Sequence, residues 1–316
     1  MTDIVTITIN PAIDMFVNTS RVEAAQKMRC SAPKRDPGGG GINVARAAFR
    51  LGADVIAIYP TGGALGKLLH RLLEREGIIS LATPSHVETR ENFTAYEEDT
   101  GVQFRFVLPG SRLHRAEWEA VLDKLATFAP QPAFVVASGS LPPGVPDDFF
   151  AQVARLAKTL GARPVIDTSR VALKQALVEG VYLVKPNLNE LSDFIGAPLE
   201  DDGARIAACR ALIHKRQAEI VALTLGAEGA LLVTKDRALK AEAVAIEVAS
   251  TVGAGDSFLG GLVATLAAGQ SLEDAFRVGI AAASAAVMSP GTELCRRIDV
   301  ERLLPQVVVR ELAAAM

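Results

Sequence analysis

The 316-residue chain has three cysteines, Cys30, Cys209 and Cys295, and they are scattered. No C-x-x-C pair occurs. That argues against a structural zinc site or a disulfide framework and fits a reducing compartment, so the cytoplasm is expected. A strong charge of either sign is also missing. With 33 basic and 36 acidic residues the net charge is −3, and nucleic acid is not the expected partner. The opening "MTDIVTITINPAID" lacks a basic region followed by an apolar run, and does not read as a signal peptide. The most apolar window, 258–288, is broken by Gln270, Glu273, Asp274 and Arg277, so it reads as two buried helices and no membrane partner is expected. No internal repeat or low-complexity linker is found. The histidines, His70, His86, His114 and His214, show no metal or nucleophile pattern and read as surface or packing residues. Neither G-x-S-x-G nor H-E-x-x-H occurs.

What is present is an alternation. Short β-branched runs at 3–9, 54–60, 133–139, 163–169, 182–187, 219–226 and 230–234 read as strands. Helical patterns at 41–51, 65–76, 115–128, 146–160, 188–195, 202–216, 256–269 and 272–288 lie between most of them. Near-continuous apolar strands alternating with helices predict an α/β fold, its parallel sheet covered on both faces. The length allows two domains, or one large domain with a small appendage. Two excursions, 11–36 and 87–108, alternate polar and apolar residues, and the second contains "EDTG", a hairpin turn. They predict four short antiparallel strands in a small sheet. Such a sheet is a lid over a site, a subunit interface or an edge extension. One domain over 1–316 with a β-lid is the expected organisation.

The segment "STVGAGD" (250–256) sets one acid where a glycine turn becomes a helix. Gly253 and Gly255 allow unusual backbone angles and close approach. The helix start offers unpaired N–H groups and a positive dipole end, which favour an anion. Asp256 would repel a phosphate, so it is a poor phosphate ligand. It is a natural base for a hydroxyl attacking a phosphoryl group, with the N–H groups stabilising the transferred charge. The alternative is that Asp256 merely caps the helix.

In "PGGGGINVARAAFRLGA" (37–53), four glycines precede a helix with Asn43 in its first turn. The spacing fits neither the dinucleotide fingerprint nor the P-loop. Bare glycines let a ligand lie on the backbone while the Asn43 amide reads a hydroxyl; a glycine-rich flexible loop is the alternative. In "VKPNLNEL" (184–191), Lys185, Asn187 and Glu190 follow a strand. They suit a polyphosphate and a Mg²⁺ held partly through water, or an ordinary turn. The same end-of-strand logic covers Asp14, "SGSLPPG" (138–144), Asp167 and "TLGAEGA" (224–230), so several polar clusters fall at one sheet edge, where ligands bind. Arg90, Arg105 and Lys27, from the excursions, suit a second, fixed phosphate on the acceptor, or a solvated strand face.

"PGGGGINVARAAFRLG" and "STVGAGDSFLGG" resemble the two signatures of the ribokinase-like carbohydrate kinases, the PfkB family. "SGSLPPG", "VKPNLNEL", "TLGAEGALL" and "GTELC" extend the resemblance in order over nearly the whole chain. "GGGGINVAR", "KMRCSAP", "RFVLPG" and "SGSLPPGV" bring it nearest to the bacterial minor 6-phosphofructokinase subgroup. The resemblance implies a Rossmann-like fold with a β-lid that pairs subunits into a homodimer. It implies ATP, Mg²⁺ and phosphoryl transfer to a sugar phosphate, foremost fructose 6-phosphate to fructose 1,6-bisphosphate. The alternatives are fructose 1-phosphate, tagatose 6-phosphate or an unphosphorylated sugar as acceptor. Asp256 is then the base, with Gly253, Ala254 and Gly255 as the anion hole. Asp14, Gly39, Gly40 and Asn43 hold sugar hydroxyls; Arg90, Arg105, Lys27, Ser138 and Ser140 lie near the sugar phosphate. Lys185, Asn187, Thr224, Gly226, Gly229 and Ser284 line the nucleotide, and Glu190 helps place the metal. A K⁺ site is implied through Ser250, Val252, Ala286, Ser289 and Gly291. Two departures stand out: Ser250 replaces the common Asp, and Glu293 is an unexpected charge in the loop 289–294. A nicotinamide oxidoreductase lacks its G-x-G-x-x-G here, and a catalytically dead binding module fits poorly with an intact Asp256.

Overall fold

Two excursions interrupt a regular alternation of strands and helices. The structure, a computed structural model, describes residues 3–289 and 291–312. After β1 (Ile4–Ile7) the chain forms β2 (Ala12–Thr19) and β3 (Lys34–Gly38). It returns through α1 (Gly40–Arg50), β4 (Val55–Thr61), α2 (Gly63–Arg75) and β5 (Ile79–Pro84). The second excursion forms β6 (Arg90–Glu97) and β7 (Gln103–Phe106). Then come α3 (Arg115–Ala126), β8 (Phe134–Ser138), α4 (Phe149–Thr159), β9 (Arg163–Asp167), α5 (Arg170–Glu179), β10 (Val181–Val184), α6 (Leu188–Ile195), α7 (Asp202–His214) and β11 (Ala218–Thr224). A hairpin, β12 (Ala230–Val233) and β13 (Ala238–Ala241), leads to α8 (Ala254–Ala267), α9 (Leu272–Val287), α10 (Arg297–Leu303) and β14 (Val309–Glu311).

The main sheet runs β14-β13-β12-β11-β10-β9-β8-β1-β4-β5. From β11 to β5 every pairing is parallel; β12, β13 and β14 close one end antiparallel. Side chains alternate between two cores, the period-two signature of a strand. Phe134 and Val136 of β8 face one core with Ala47, Leu262 and Ala282. Val135 and Ala137 face the other with Leu125, Phe149 and Leu212. Both faces are therefore covered, as the apolar runs required. Among the described residues no helix is long and apolar enough to cross a membrane.

The first core depends on small residues between helices. A Cβ at Gly260 of α8 would lie 2.6 Å from Ala47 Cβ of α1, and one at Gly279 of α9 would lie 3.1 Å from Phe258. Bare backbone thus lets α1, α8 and α9 approach closely.

The second sheet runs β3-β2-β6-β7. It corrects the expectation of four antiparallel strands, because β2 and β6 pair in parallel from Ala12–Arg90 to Thr19–Glu97. The reason lies in the main sheet. β1 and β5 are parallel, so both excursions leave from the same edge and their first strands run outward together. Each then folds back antiparallel, β3 on β2 and β7 on β6.

Candidate active site

The carboxyl ends of β1, β8, β9, β10 and β11 share one edge, because those strands are parallel and adjacent. Asp167 ends β9 and accepts from two neighbours: Ser138 Oγ, at the end of β8, at 3.0 Å, and Lys185 Nζ, just past β10, at 3.0 Å. Lys185 is buried. Burial opposes its charge, but Asp167 outweighs it, with help from Asp256 and Glu190, so the pKa is raised and the ammonium persists.

The helices α1 and α8 start at this same edge. Gly253 caps α8 in the left-handed region at φ 73°, a conformation that favours glycine, and Ala254, Gly255 and Asp256 form the first turn. Asp256 does not cap the helix. Its Oδ2 accepts from Asn43 Nδ2, on the first turn of α1, at 2.8 Å. Burial pushes the Asp256 carboxyl up to about 6, reinforced by Asp167 and Asp14; the Asn43 hydrogen bond and Lys185 pull the other way. A carboxylate so raised is a better proton acceptor than a solvated one. Gly39 caps α1 at φ 105°, and a Cβ on Gly40 would collide with Ser138 Oγ, so α1 abuts β8 only because Gly40 is bare. Gly255 is less crowded but faces the same edge: a Cβ there would lie 3.4 Å from Lys185 Nζ, in ordinary contact.

The second sheet brings a different chemistry to the opening. Asp14 of β2 accepts from Asn92 Nδ2 of β6 at 2.7 Å. Burial raises the Asp14 pKa against the pull of that bond and of Arg90, Arg46 and Arg105. Arg90 donates to Leu108 O at 2.8 Å and to Asn10 O at 3.1 Å, while its buried Nε has no partner among the described residues. Asn10 Nδ2 in turn donates to Ser140 Oγ at 3.0 Å. Asn10, Arg90 and Ser140 line a cleft of 620 Å³ with Leu108, Gly110 and Pro142. Arg105 lies on β7, exposed.

Further along the edge, Asn187 and Glu190 form a reciprocal cap on α6: Glu190 N–H donates to Asn187 Oδ1 and Asn187 N–H to Glu190 Oε2, both at 2.9 Å. Asn187 also bridges Thr224. A cavity of 440 Å³ lies here, lined by Ser169, Lys174, Asn187, Glu190 and Asp193 among others. Burial and the nearby Asp167 raise the Glu190 pKa. Gly226 and Gly229 carry φ of 61° and 92° in the turn after β11. Ser284 of α9 is buried, and its Oγ accepts from Val244 N at 3.4 Å.

The segment 249–252 meets the end of α9 through Ala249 N–H and Ser250 N–H, both donating to Val287 O. Ser250 Oγ donates to Gly291 O at 2.8 Å and accepts from Val252 N at 3.2 Å; Ala286 O accepts from Ser289 N. Ser289 Oγ is buried without a partner among the described residues. Pro290, inside the loop 289–294, lies outside the described residues. Glu293 is not a stray charge: Lys34 Nζ reaches it at 3.3 Å.

Comparison with known proteins adds one decisive observation. The description "pfkB family carbohydrate kinase" matches residues 1–299. The chain belongs to the PfkB family of carbohydrate kinases. The ATP-dependent 6-phosphofructokinase isozyme 2 of Mycobacterium tuberculosis is 42% identical over 299 residues, covering 95% of this chain and 88% of the relative. The protein of the same description from Escherichia coli is 38% identical, with 96% and 98% covered. A 1-phosphofructokinase of Xanthomonas campestris is 36% identical, with 99% and 96% covered. The phosphofructokinase-2 of Escherichia coli in complex with potassium superposes with a TM-score of 0.92 at 37% identity, covering 97% of this chain and 99% of that one. The same protein in complex with fructose-6-phosphate gives 0.91 at 36%, with the same coverage.

In this PfkB-family kinase most of the expected site residues gather at the one edge. Lys27 does not join them. It lies exposed in the loop 20–33, and among the described residues no hydrogen bond or ion pair involves it. Two residues outside the expected set belong here as well: Asn10, just past β1, and Asn92, on β6 of the second sheet; Asp167, at the end of β9, was among the polar positions expected at this edge. The end-of-strand rule reaches Asp167 and, applied to β1, reaches Asn10; nothing local marks Asn92.

Proposed function

We propose that the chain is an ATP-dependent hexose-phosphate kinase, acting foremost on fructose 6-phosphate to give fructose 1,6-bisphosphate. The relatives at 38–42% identity, described as 6-phosphofructokinases, favour that acceptor over fructose 1-phosphate or tagatose 6-phosphate. The observation that carries the mechanism is the Asp256 carboxylate, in the first turn of α8, aligned by Asn43 at 2.8 Å and raised to about 6. Asp256 takes the proton of the attacking hydroxyl as the oxygen–phosphorus bond forms. The N–H groups of Gly253, Ala254 and Gly255 stabilise charge growing on the transferred phosphoryl group. Asp14, fixed by Asn92, and Asn43, through its amide oxygen, orient sugar hydroxyls above Gly39 and Gly40. Arg90 and Ser140, beside the 620 Å³ cleft, and Arg105 receive the phosphate already on the sugar. Ser138 acts on the same side by holding Asp167. Lys185, Asn187, Thr224, Gly226, Gly229 and Ser284 line the nucleotide.

Beside Glu190 the carboxylates of Asp167 and Asp193 offer oxygens, the hard donors Mg²⁺ takes, and Glu190 keeps a carboxylate oxygen free of the backbone. Glu190 would hold the ion through water, and the ion would screen the phosphates. Around Ser289 the unpartnered buried hydroxyl and the carbonyls of Gly291 and Ala286 suit a monovalent cation such as K⁺, beside Ser250 and Val252. The second sheet serves as a lid of one α/β domain. Val102, Phe106, Val107 and Leu108 are exposed on or beside it, and pairing two lids in a homodimer would cover them. Initial rates with ATP and fructose 6-phosphate, fructose 1-phosphate, tagatose 6-phosphate, fructose and ribose test the assignment. Highest kcat/KM on fructose 6-phosphate is expected. A preference for an unphosphorylated sugar removes the role given to Arg90 and Arg105.

A further inference from the structure

The histidines read from sequence as surface or packing residues include a pair that the fold brings together. His86 follows β5, in the segment entering β6, and His114 is the N-cap of α3, in the segment returning from β7. Their rings stack with centroids 3.9 Å apart and planes 10° apart. Glu117, in the first turn of α3, ties both segments. Its carboxylate accepts the backbone N–H of His86 and that of His114, each at 2.6 Å, and meets His86 Nδ1 at 2.7 Å. One ligand atom from each of the three residues lies within 4.8 Å of the other two. Both imidazoles are exposed, so an ion has a direct path in.

We propose that His86, His114 and Glu117 bind a divalent first-row transition ion, Zn²⁺ foremost, at the root of the β6–β7 hairpin. Two imidazoles, one carboxylate and a water make the mixed nitrogen–oxygen set that Zn²⁺ takes in tetrahedral sites, not the oxygen set of Mg²⁺. Bonds of about 2.0–2.1 Å place tetrahedral ligand atoms about 3.3 Å apart. The present separations run from 2.7 Å to within 4.8 Å and bracket that value, so side-chain rotation closes the site. Oε1 of Glu117 already faces both the backbone N–H and Nδ1 of His86, whereas Oε2 keeps a lone pair beyond the one given to the His114 N–H and is the oxygen open to the ion. Those backbone bonds then hold the ligand in place, as outer-sphere partners do at known metal sites.

The location gives the site a consequence. Arg90, which opens β6 just beyond His86, grips Leu108 O on the return path toward His114. An ion at the root pins these two segments to each other, and so stiffens the base of the hairpin that carries Arg90.

Zn²⁺ is titrated into the untagged full-length protein by calorimetry, and Co²⁺ is used as a visible-absorption probe. One ion per chain and tetrahedral Co²⁺ bands are expected. In the double variant His86→Ala/His114→Ala, affinity falls more than about tenfold, since even outer-sphere changes cost that much. Both side chains are exposed, so folding is retained, and circular dichroism checks it; His214→Ala serves as a control that leaves binding unchanged. Hydrogen exchange over 85–90 and 108–115 slows with Zn²⁺ in the wild type only. Absence of stoichiometric binding, binding unchanged in the double variant, or equal protection in both proteins overturns the proposal. These readouts do not depend on turnover, so they stand apart from the assignment of the kinase reaction.

Discussion

Replacing Asn43 by alanine removes the amide that donates to Asp256 at 2.8 Å. That bond stabilises the ionised carboxylate. A hydrogen bond to a charged group is worth about 1.5–3 kcal/mol, and one pKa unit is about 1.4 kcal/mol, so its loss raises the pKa by roughly 1–2 units. In the native enzyme burial already sets that group at about 6. The base must be ionised to act. Activity therefore falls as pH drops through about 6 in the wild type, and through roughly 7–8 in Asn43→Ala. The assay is kcat/KM for the sugar phosphate, followed by coupled ADP release from about pH 5 to 9, the range that brackets both limbs. On the alkaline side, where both proteins carry the ionised base, the curves draw together. Any gap that persists there measures the contact of Asn43 with the acceptor. An acid limb that stays in place, or moves to lower pH, refutes the coupling of Asn43 to Asp256.

Other outcomes follow from the same geometry. Arg90→Ala raises KM for the sugar phosphate about 10–100-fold, the worth of a charge-assisted hydrogen bond, and leaves KM for ATP nearly unchanged; equal changes in both would place Arg90 outside the acceptor cleft. Gly260→Val sets a Cβ 2.6 Å from Ala47 Cβ between α1 and α8, so urea unfolding registers a loss of about 1–3 kcal/mol or more; an unchanged midpoint contradicts the close packing. Folding raises the Asp256 pKa from 3.8 to about 6, so its charge opposes folding. That penalty is absent below the unfolded value, grows as pH rises to about 6 and stays constant above it. It amounts to about 3 kcal/mol at most, and Asp256→Asn accordingly melts higher than the wild type at neutral pH but not in acid.

The main sheet was legible because a strand buried on both faces carries a continuous apolar run, as in β8 and β11. α5 was not. Val171 and Val178 are exposed on it, which blurs the helical period that Ala172, Leu173, Ala176 and Leu177 set inward. β5, β13, β14 and α10 are short, or bury too few residues in sequence to show a period. The direction in which β2 meets β6 depends on which sheet edge each excursion leaves, a property of the assembled fold. The glycine turns before α1 and α8 follow local backbone rules, and they pointed to Asn43 and Asp256 directly. Asn92 reaches Asp14 from 78 positions away and Asn10 reaches Ser140 from 130, so no window of sequence links them. His86 and His114 were dismissed for the same reason: their meeting is made by the two ends of a hairpin, not by spacing.

The most direct test of the central claim is turnover of Asp256→Asn beside its affinity for ATP. Substitution by an amide of the same shape removes the proton acceptor and a charge that repels phosphate. The expected result is ATP binding as tight as in the wild type or tighter by calorimetry, with kcat lower by about 10²–10⁴-fold. Full turnover in that variant would contradict the assignment of Asp256 as the base.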